Sequence, residues 1–72
     1  MKRAEAVALL KELGEEHLIQ PSLVSIEQRK PDGFELCIKG FYDLELITAF
    51  IRKFDLTVKE DKTKGYLCIF KP

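Results

Sequence analysis

The stretch VSIEQRKPDGFELCIK, residues 24–39, contains two apolar–polar alternations separated by a turn sequence. On the second run Phe34, Leu36 and Ile38 alternate with other residues, and a period of two is the signature of a β-strand. The intervening Lys-Pro-Asp-Gly has the residue order of a tight turn. The stretch therefore predicts a β-hairpin with strands at 22–30 and 34–39.

An amphipathic helix is predicted before this hairpin. Its apolar positions recur at i, i+3, i+4 and i+7, the spacing that places side chains on one helix face; they are Ala6, Leu9, Leu10 and Leu13. Gly14 follows the last of them, where a left-handed residue often ends a helix. We therefore expect a helix over about residues 3–13 that ends at Gly14.

The same helix–strand–strand order is predicted again after the hairpin. A second stripe with helical spacing consists of Ile47, Phe50, Ile51 and Phe54. Asp43 precedes this predicted helix, 44–54, and is a residue type that caps helix N-termini. Leu56 then opens a third strand, Gly65 closes a turn, and residues 66–70 alternate as a fourth. The predicted order is αββαββ.

The two hairpins also match each other in sequence. A shift of 32 positions aligns Gly33 with Gly65 and the following Phe34 with Tyr66. We interpret this match as an internal duplication, with repeats at about 3–40 and 43–72. The 72 residues are too few for two separate cores, so a single domain, 1–72, is expected.

This pattern predicts an α+β fold of two layers. Both helices should cover one face of a four-stranded antiparallel sheet, giving an α/β sandwich. Counting by twos from the aligned aromatics predicts the following inward side chains: Val24, Ile26, Phe34, Leu36, Ile38, Leu56, Val58, Tyr66, Cys68 and Phe70.

The same counting places Cys37, Leu67 and Ile69 on the outer face of the sheet. An outer face is normally polar, so these residues are a candidate interaction face for a protein partner or a weak homodimer. Scattered exposed apolar residues are also common and need no partner. Because Cys37 then faces outward and Cys68 inward, no intramolecular disulfide between them is expected.

The sequence predicts no catalytic, cofactor-binding or metal-binding residues. His17 has no second histidine or cysteine at ligand spacing, and the two cysteines form no Cys-x-x-Cys motif. Neither Ser22 nor Ser25 lies in a nucleophile-elbow sequence. A non-enzymatic interaction module is thus the leading hypothesis. A small-ligand protein or enzyme with an unrecognised pocket remains an alternative.

Nucleic-acid binding is a further alternative. The basic residues at the two hairpin ends could contact phosphates; they are Arg29, Lys30, Lys62 and Lys64. Overall, however, 12 basic residues balance 12 acidic ones, whereas duplex-binding proteins usually carry a basic excess. The charge balance therefore argues against nucleic acid as the partner.

Hydropathy gives an expectation about location. No apolar run approaches the roughly 20 residues of a membrane span. The N-terminal Met-Lys-Arg-Ala-Glu is not followed by the apolar region of a signal peptide. We therefore expect a cytoplasmic protein without membrane attachment.

The αββαββ order and the paired turns Lys-Pro-Asp-Gly-Phe and Lys-Thr-Lys-Gly-Tyr resemble a small orphan family of archaeal proteins of unknown function. The resemblance covers the whole chain and implies a two-layer sandwich likened to the TATA-box-binding-protein fold. It implies no catalytic residue, because the family itself has no assigned function. The likeness to the TATA-binding protein concerns architecture alone.

Overall fold

Helices and strands alternate along the chain in the predicted αββαββ order. The computed structural model describes residues 1–29, 33–40 and 42–71. The elements in chain order are α1 (Arg3–Glu15), β1 (Val24–Gln28), β2 (Phe34–Lys39), α2 (Leu44–Ile51), β3 (Thr57–Asp61) and β4 (Tyr66–Phe70). Short 3-10 turns at Pro21–Leu23 and Arg52–Phe54 precede β1 and follow α2.

The four strands form one antiparallel sheet in the order β1-β2-β4-β3. Helix α1 packs against β1 and β2, and α2 packs against β3. The predicted α+β sandwich, with two helices on one face of a four-stranded sheet, is therefore confirmed. Both hairpins form as predicted, although turn residues Lys30, Pro31 and Asp32 lie outside the described residues.

The helix ends follow from local hydrogen bonding. Asp43 caps α2 as predicted, because its Oδ1 accepts a hydrogen bond from the Leu46 amide at 3.1 Å. The predicted cap at Gly14 is wrong. Helix α1 continues to Glu15, and His17 adopts the left-handed conformation with φ 59°. The Leu18 amide then donates to the Leu13 carbonyl, which is the six-to-one bond of a Schellman motif.

The core lies between the sheet and the helices. Its largest fully buried side chains are Leu13, Leu36, Ile38, Ile47, Ile51, Leu67 and Ile69. Each such side chain contributes roughly 1.5–3 kcal/mol by leaving water. Most of the predicted inward set lies here or packs against it, namely Val24, Ile26, Phe34, Leu36, Ile38, Leu56 and Val58.

The predicted facing of β4 is wrong. Leu67 and Ile69 are both 0% exposed and belong to the core, opposite Ile38 and Leu36 of β2. Tyr66, Cys68 and Phe70 therefore face outward. Because side chains alternate along a strand, an error of one residue moves every side chain of that strand to the other face.

The error arises because the number of residues from the turn glycine to the apolar core positions of the following strand differs by one between the two hairpins. Aligning Gly33 with Gly65 hides a repeated tripeptide, Leu-Cys-Ile, at residues 36–38 and 67–69. In the sheet these tripeptides lie side by side on the two central strands, with Cys37 directly opposite Cys68. An approximate two-fold axis therefore passes between the cysteines and relates β2 to β4.

Candidate functional site

The outer face of the sheet brings the two cysteines together at its centre. Cys37 Sγ and Cys68 Sγ are 3.3 Å apart, within hydrogen-bonding distance for two thiols. Both cysteines are free. The sequence-based reason for excluding a disulfide, thiols on opposite faces, is therefore wrong. Of the candidate interaction face, only Cys37 lies on the outer side, because Leu67 and Ile69 are buried beneath the helices.

A carboxylate completes this cluster. Glu35 is two residues before Cys37 on β2, so both side chains leave the same face. Glu35 Oε1 is 3.7 Å from Cys37 Sγ. One carboxylate oxygen and the two sulfurs all lie within 4.8 Å of one another. Among the described residues, this is the group whose ligand types and spacing suit a metal ion.

Arg29 holds the Glu35 carboxylate from the side away from the sulfurs. Arg29 Nη1 donates to Glu35 Oε2 at 3.1 Å, which leaves Oε1 facing Cys37. The guanidinium carbon lies 3.7 Å from the centre of the Phe70 ring, so Arg29 is itself stacked in place. Arg29, which is held against the Phe70 ring, thus fixes the orientation of the Glu35 carboxylate.

A second cation–aromatic pair flanks the thiols at the other end of the face. Lys39 Nζ lies 5.1 Å from the centre of the Tyr66 ring, and these two residues are paired across β2 and β4. Ser25 lies opposite Cys37 on the edge strand β1. Its buried Oγ has no hydrogen-bond partner in the described part of the chain.

The two cysteines differ in burial. Cys37 is 4% exposed, whereas Cys68 is partly exposed. Burial raises the pKa of the Cys37 thiol well above its ordinary value, and the hydrogen bond with Cys68 and the Glu35 charge act in the same direction. Burial thus favours the protonated form of the Cys37 thiol.

The predicted nucleic-acid contacts that the structure describes, Arg29, Lys62 and Lys64, do not form one patch. Arg29 is engaged with Glu35 and Phe70, and Lys30 lies outside the described residues. Lys62 and Lys64 are exposed in the β3–β4 turn. Because β2 and β4 are antiparallel, Arg29 and the β3–β4 turn lie at opposite ends of the sheet, a strand length of roughly 17 Å apart.

Two other features are weaker candidates for a functional site. His17 is exposed and serves as the left-handed residue after α1. An open cavity of about 210 Å³ has an apolar floor that includes Leu9, Phe54 and Leu56. Its described lining contains carboxylates and one lysine but no thiol or imidazole. The cysteine cluster is therefore the candidate site.

Comparison with protein-family models, with curated proteins and with solved structures found no match to this chain. The resemblance to the archaeal family thus stays a prediction. Within the described ranges, neither helix has the length and apolar character needed to cross a membrane.

The sequence analysis missed Cys68, Glu35 and Arg29 as members of one site. The repeated Leu-Cys-Ile could have revealed the first, because aligning it pairs the cysteines on equivalent strands. Glu35 then follows from its position two residues before Cys37. No sequence pattern predicts the stacking of Arg29 on Phe70, because it depends on the position of Phe70 beside the end of β1 in the tertiary structure.

Proposed function

We propose that this protein is a binding module that holds a divalent metal ion such as zinc on the outer face of its sheet. The ligands are the thiolates of Cys37 and Cys68 and the carboxylate of Glu35. The observation that carries the proposal is the convergence of these three ligand atoms within 4.8 Å. A fourth coordination position is left for water or for a donor from a partner.

The spacing of the ligand atoms suits tetrahedral coordination after a small adjustment. Zinc–sulfur bonds of about 2.3 Å place two sulfurs about 3.8 Å apart in a tetrahedral site. The sulfurs here are 3.3 Å apart, so the pair must open by about half an ångström. The 3.7 Å between Glu35 Oε1 and Cys37 Sγ already matches two neighbouring ligands of one ion.

The donor set favours zinc over copper(I). Thiolates alone suit both ions, but a carboxylate oxygen is a harder ligand that zinc accepts readily. The two sulfurs and one oxygen therefore favour a divalent cation of intermediate softness, such as zinc. Harder ions such as magnesium prefer oxygen ligands throughout and are disfavoured by the two sulfurs.

Charge balance supports a divalent ion at this position. Two thiolates and one carboxylate carry three negative charges, a divalent ion cancels two, and Arg29 cancels the third. Arg29 also fixes the Glu35 orientation by binding Oε2, as outer-shell partners of metal ligands commonly do. Because the ligands must be thiolates and burial raises the pKa of the Cys37 thiol, uptake of the ion should release protons.

The groups around the thiols favour binding rather than catalysis. Arg29 and Lys39 are both placed over aromatic rings, and the Glu35 carboxylate is committed to the ion and to Arg29. Each of these three side chains is thus already engaged in a contact of its own. This site on the outer face thus replaces the Leu67 and Ile69 surface as the basis of a non-enzymatic binding module.

Metal titration of the reduced protein tests the proposal. Zinc is added in competition with a chromophoric chelator, and cobalt(II) is used in parallel because its thiolate charge-transfer bands report sulfur ligation. We expect one ion per chain. Cys37→Ser and Cys68→Ser should each weaken zinc binding by about a hundredfold or more, and Glu35→Gln by about tenfold.

Glu27→Gln is the matched control. Glu27 lies opposite Glu35 on β1 and faces the same side of the sheet, but it is exposed and outside the cluster. The zinc affinity of this variant should fall much less than that of Glu35→Gln, because Glu27 contributes only a longer-range attraction for the ion and no ligand atom. Failure of the reduced parent to take up zinc, or equal losses for Glu35→Gln and Glu27→Gln, would contradict the proposal.

A further inference from the structure

We infer that Cys37 and Cys68 form a reversible intramolecular disulfide, and that Cys68 is the thiol that reacts first when this bond forms from a small external disulfide. The inference goes beyond metal binding and rests on the geometry of the thiol pair alone. It makes the centre of the outer sheet face a redox modification site.

The backbone already holds the pair at disulfide spacing. Cys37 and Cys68 are directly opposite on neighbouring antiparallel strands. Opposed residues of that kind have Cα atoms about 4.5–5.5 Å apart, within the range of about 4.4–6.8 Å found for disulfides. The sulfurs must approach only from 3.3 Å to bonding distance, which side-chain rotation can supply without moving a strand.

Unequal access gives the two cysteines different roles. Cys37 is 4% exposed and is surrounded by Ser25, Glu35 and Cys68. Cys68 is partly exposed on the same open face. An external reagent therefore reaches Cys68 first, and Cys37 is placed to attack only the neighbouring sulfur.

The reaction proceeds by two thiol–disulfide exchanges. The Cys68 thiolate attacks one sulfur of the external disulfide, so a bond from Cys68 Sγ to that sulfur forms and the external S–S bond breaks. Cys37 Sγ then attacks Cys68 Sγ, forming the internal disulfide and expelling the second external thiolate. Two electrons pass to the external disulfide, and the two protons from the cysteines end on the two released thiols.

Closure of the bond would remove both sulfur ligands at once. A disulfide sulfur carries no thiolate charge, so it cannot serve as a zinc ligand of this type. The oxidised and metal-bound forms are therefore mutually exclusive. Oxidation releases the ion, and a bound ion protects the thiols.

Oxidised glutathione is the probe for this inference, applied to metal-free parent protein in the presence of a chelator. Intact-mass spectrometry should show the parent losing two hydrogens, with little retained glutathione. Cys37→Ser should stop at a single glutathione adduct on Cys68. Cys68→Ser should form an adduct at least about tenfold more slowly, because only the buried sulfur remains. Circular dichroism establishes that both variants are folded.

Alkylation of the native parent provides a test that needs no variant. Brief iodoacetamide treatment followed by peptide mapping should label Cys68 before Cys37. Equal labelling of the two cysteines, or a parent that accumulates stable glutathione adducts, would overturn the inference. Repeating the oxidation with zinc present separates the two proposals. A parent that oxidises as expected but at the same rate with zinc contradicts metal binding alone.

Discussion

Arg29 Nη1 lies 3.1 Å from Glu35 Oε2, and the same guanidinium is stacked 3.7 Å from the centre of the Phe70 ring. The pair spans the β1–β2 hairpin at its turn end. Together with Phe70, which belongs to β4, the pair connects the end of β1 with β2 and β4. A partly exposed ion pair of this kind adds little stability by itself, about 0–1 kcal/mol. Its larger effect is to orient the carboxylate beside the thiols.

Replacement of this arginine should weaken metal binding with little effect on folding. Arg29→Met should lower zinc affinity about tenfold to a hundredfold, because Glu35 loses the donor that orients it and the site loses its balancing charge. Chelator competition is the measurement. Lys39→Met is the control, since Lys39 contacts Tyr66 and not Glu35. Equal losses of zinc affinity in both variants would mean that the affinity depends only on the overall charge of the protein.

Burial of Leu67 should make it essential for stability. Leu67→Ala removes a fully buried side chain and should cost about 2–5 kcal/mol, comparable with the whole stability of so small a domain. Urea denaturation followed by circular dichroism measures the loss. Leu46→Ala makes the same chemical change at a side chain that is 55% exposed, and should shift stability by about 0.5 kcal/mol or less.

The same burial changes the expected behaviour of a Leu67→Lys, Ile69→Lys variant. An outer-face position would leave such a protein folded, but two buried lysines in the core should prevent folding. A folded double variant with the parent's melting curve would contradict the β4 register.

The Asp43 cap should be needed for the full stability of α2. Asp43→Ala leaves the Leu46 amide without its side-chain acceptor and should cost about 1 kcal/mol. Asp43→Asn retains an acceptor oxygen and should lose only a few tenths of that amount. Denaturant midpoints of the three proteins give the comparison. An alanine variant as stable as the asparagine variant would show that the hydrogen bond contributes nothing.

A pH-dependent contact should link Tyr42 to β3. The Tyr42 hydroxyl donates to Glu60 Oε2 at 2.8 Å, and this hydrogen bond raises the pKa of Tyr42 above its ordinary value. Glu60→Gln should therefore lower that pKa. Phenolate absorbance against pH, in a Tyr66→Phe background, follows Tyr42 alone.

The sign of the linked stability change follows from this direction. The protonated hydroxyl is favoured in the folded state, so the contact stabilises fully below the unfolded tyrosine pKa of about 10. The contribution is lost as pH rises through the raised pKa of the folded state. An unchanged Tyr42 pKa in Glu60→Gln would show that the hydrogen bond does not set it.

Local patterns were sufficient for most of the fold. Helical spacing identified Ala6, Leu9 and Leu13 as the buried face of α1, and Asp43 was recognisable as a cap from its type and position. These features depend on residues a few positions apart. The site could not be predicted in the same way, because Cys37 and Cys68 belong to different hairpins and meet only when β2 pairs with β4.

The order of the elements, the buried face of α1 and the pairing of strands within each hairpin could be predicted from the sequence alone. The pairing of β2 with β4 was decided only in the tertiary structure. There Leu67 and Ile69 occupy the core opposite Ile38 and Leu36, and the strand alternation then turns Cys68 outward to Cys37. The packing of these side chains beside Leu36 and Ile38 selects one of the two facings that strand alternation allows for β4, and that choice assembles the thiol pair.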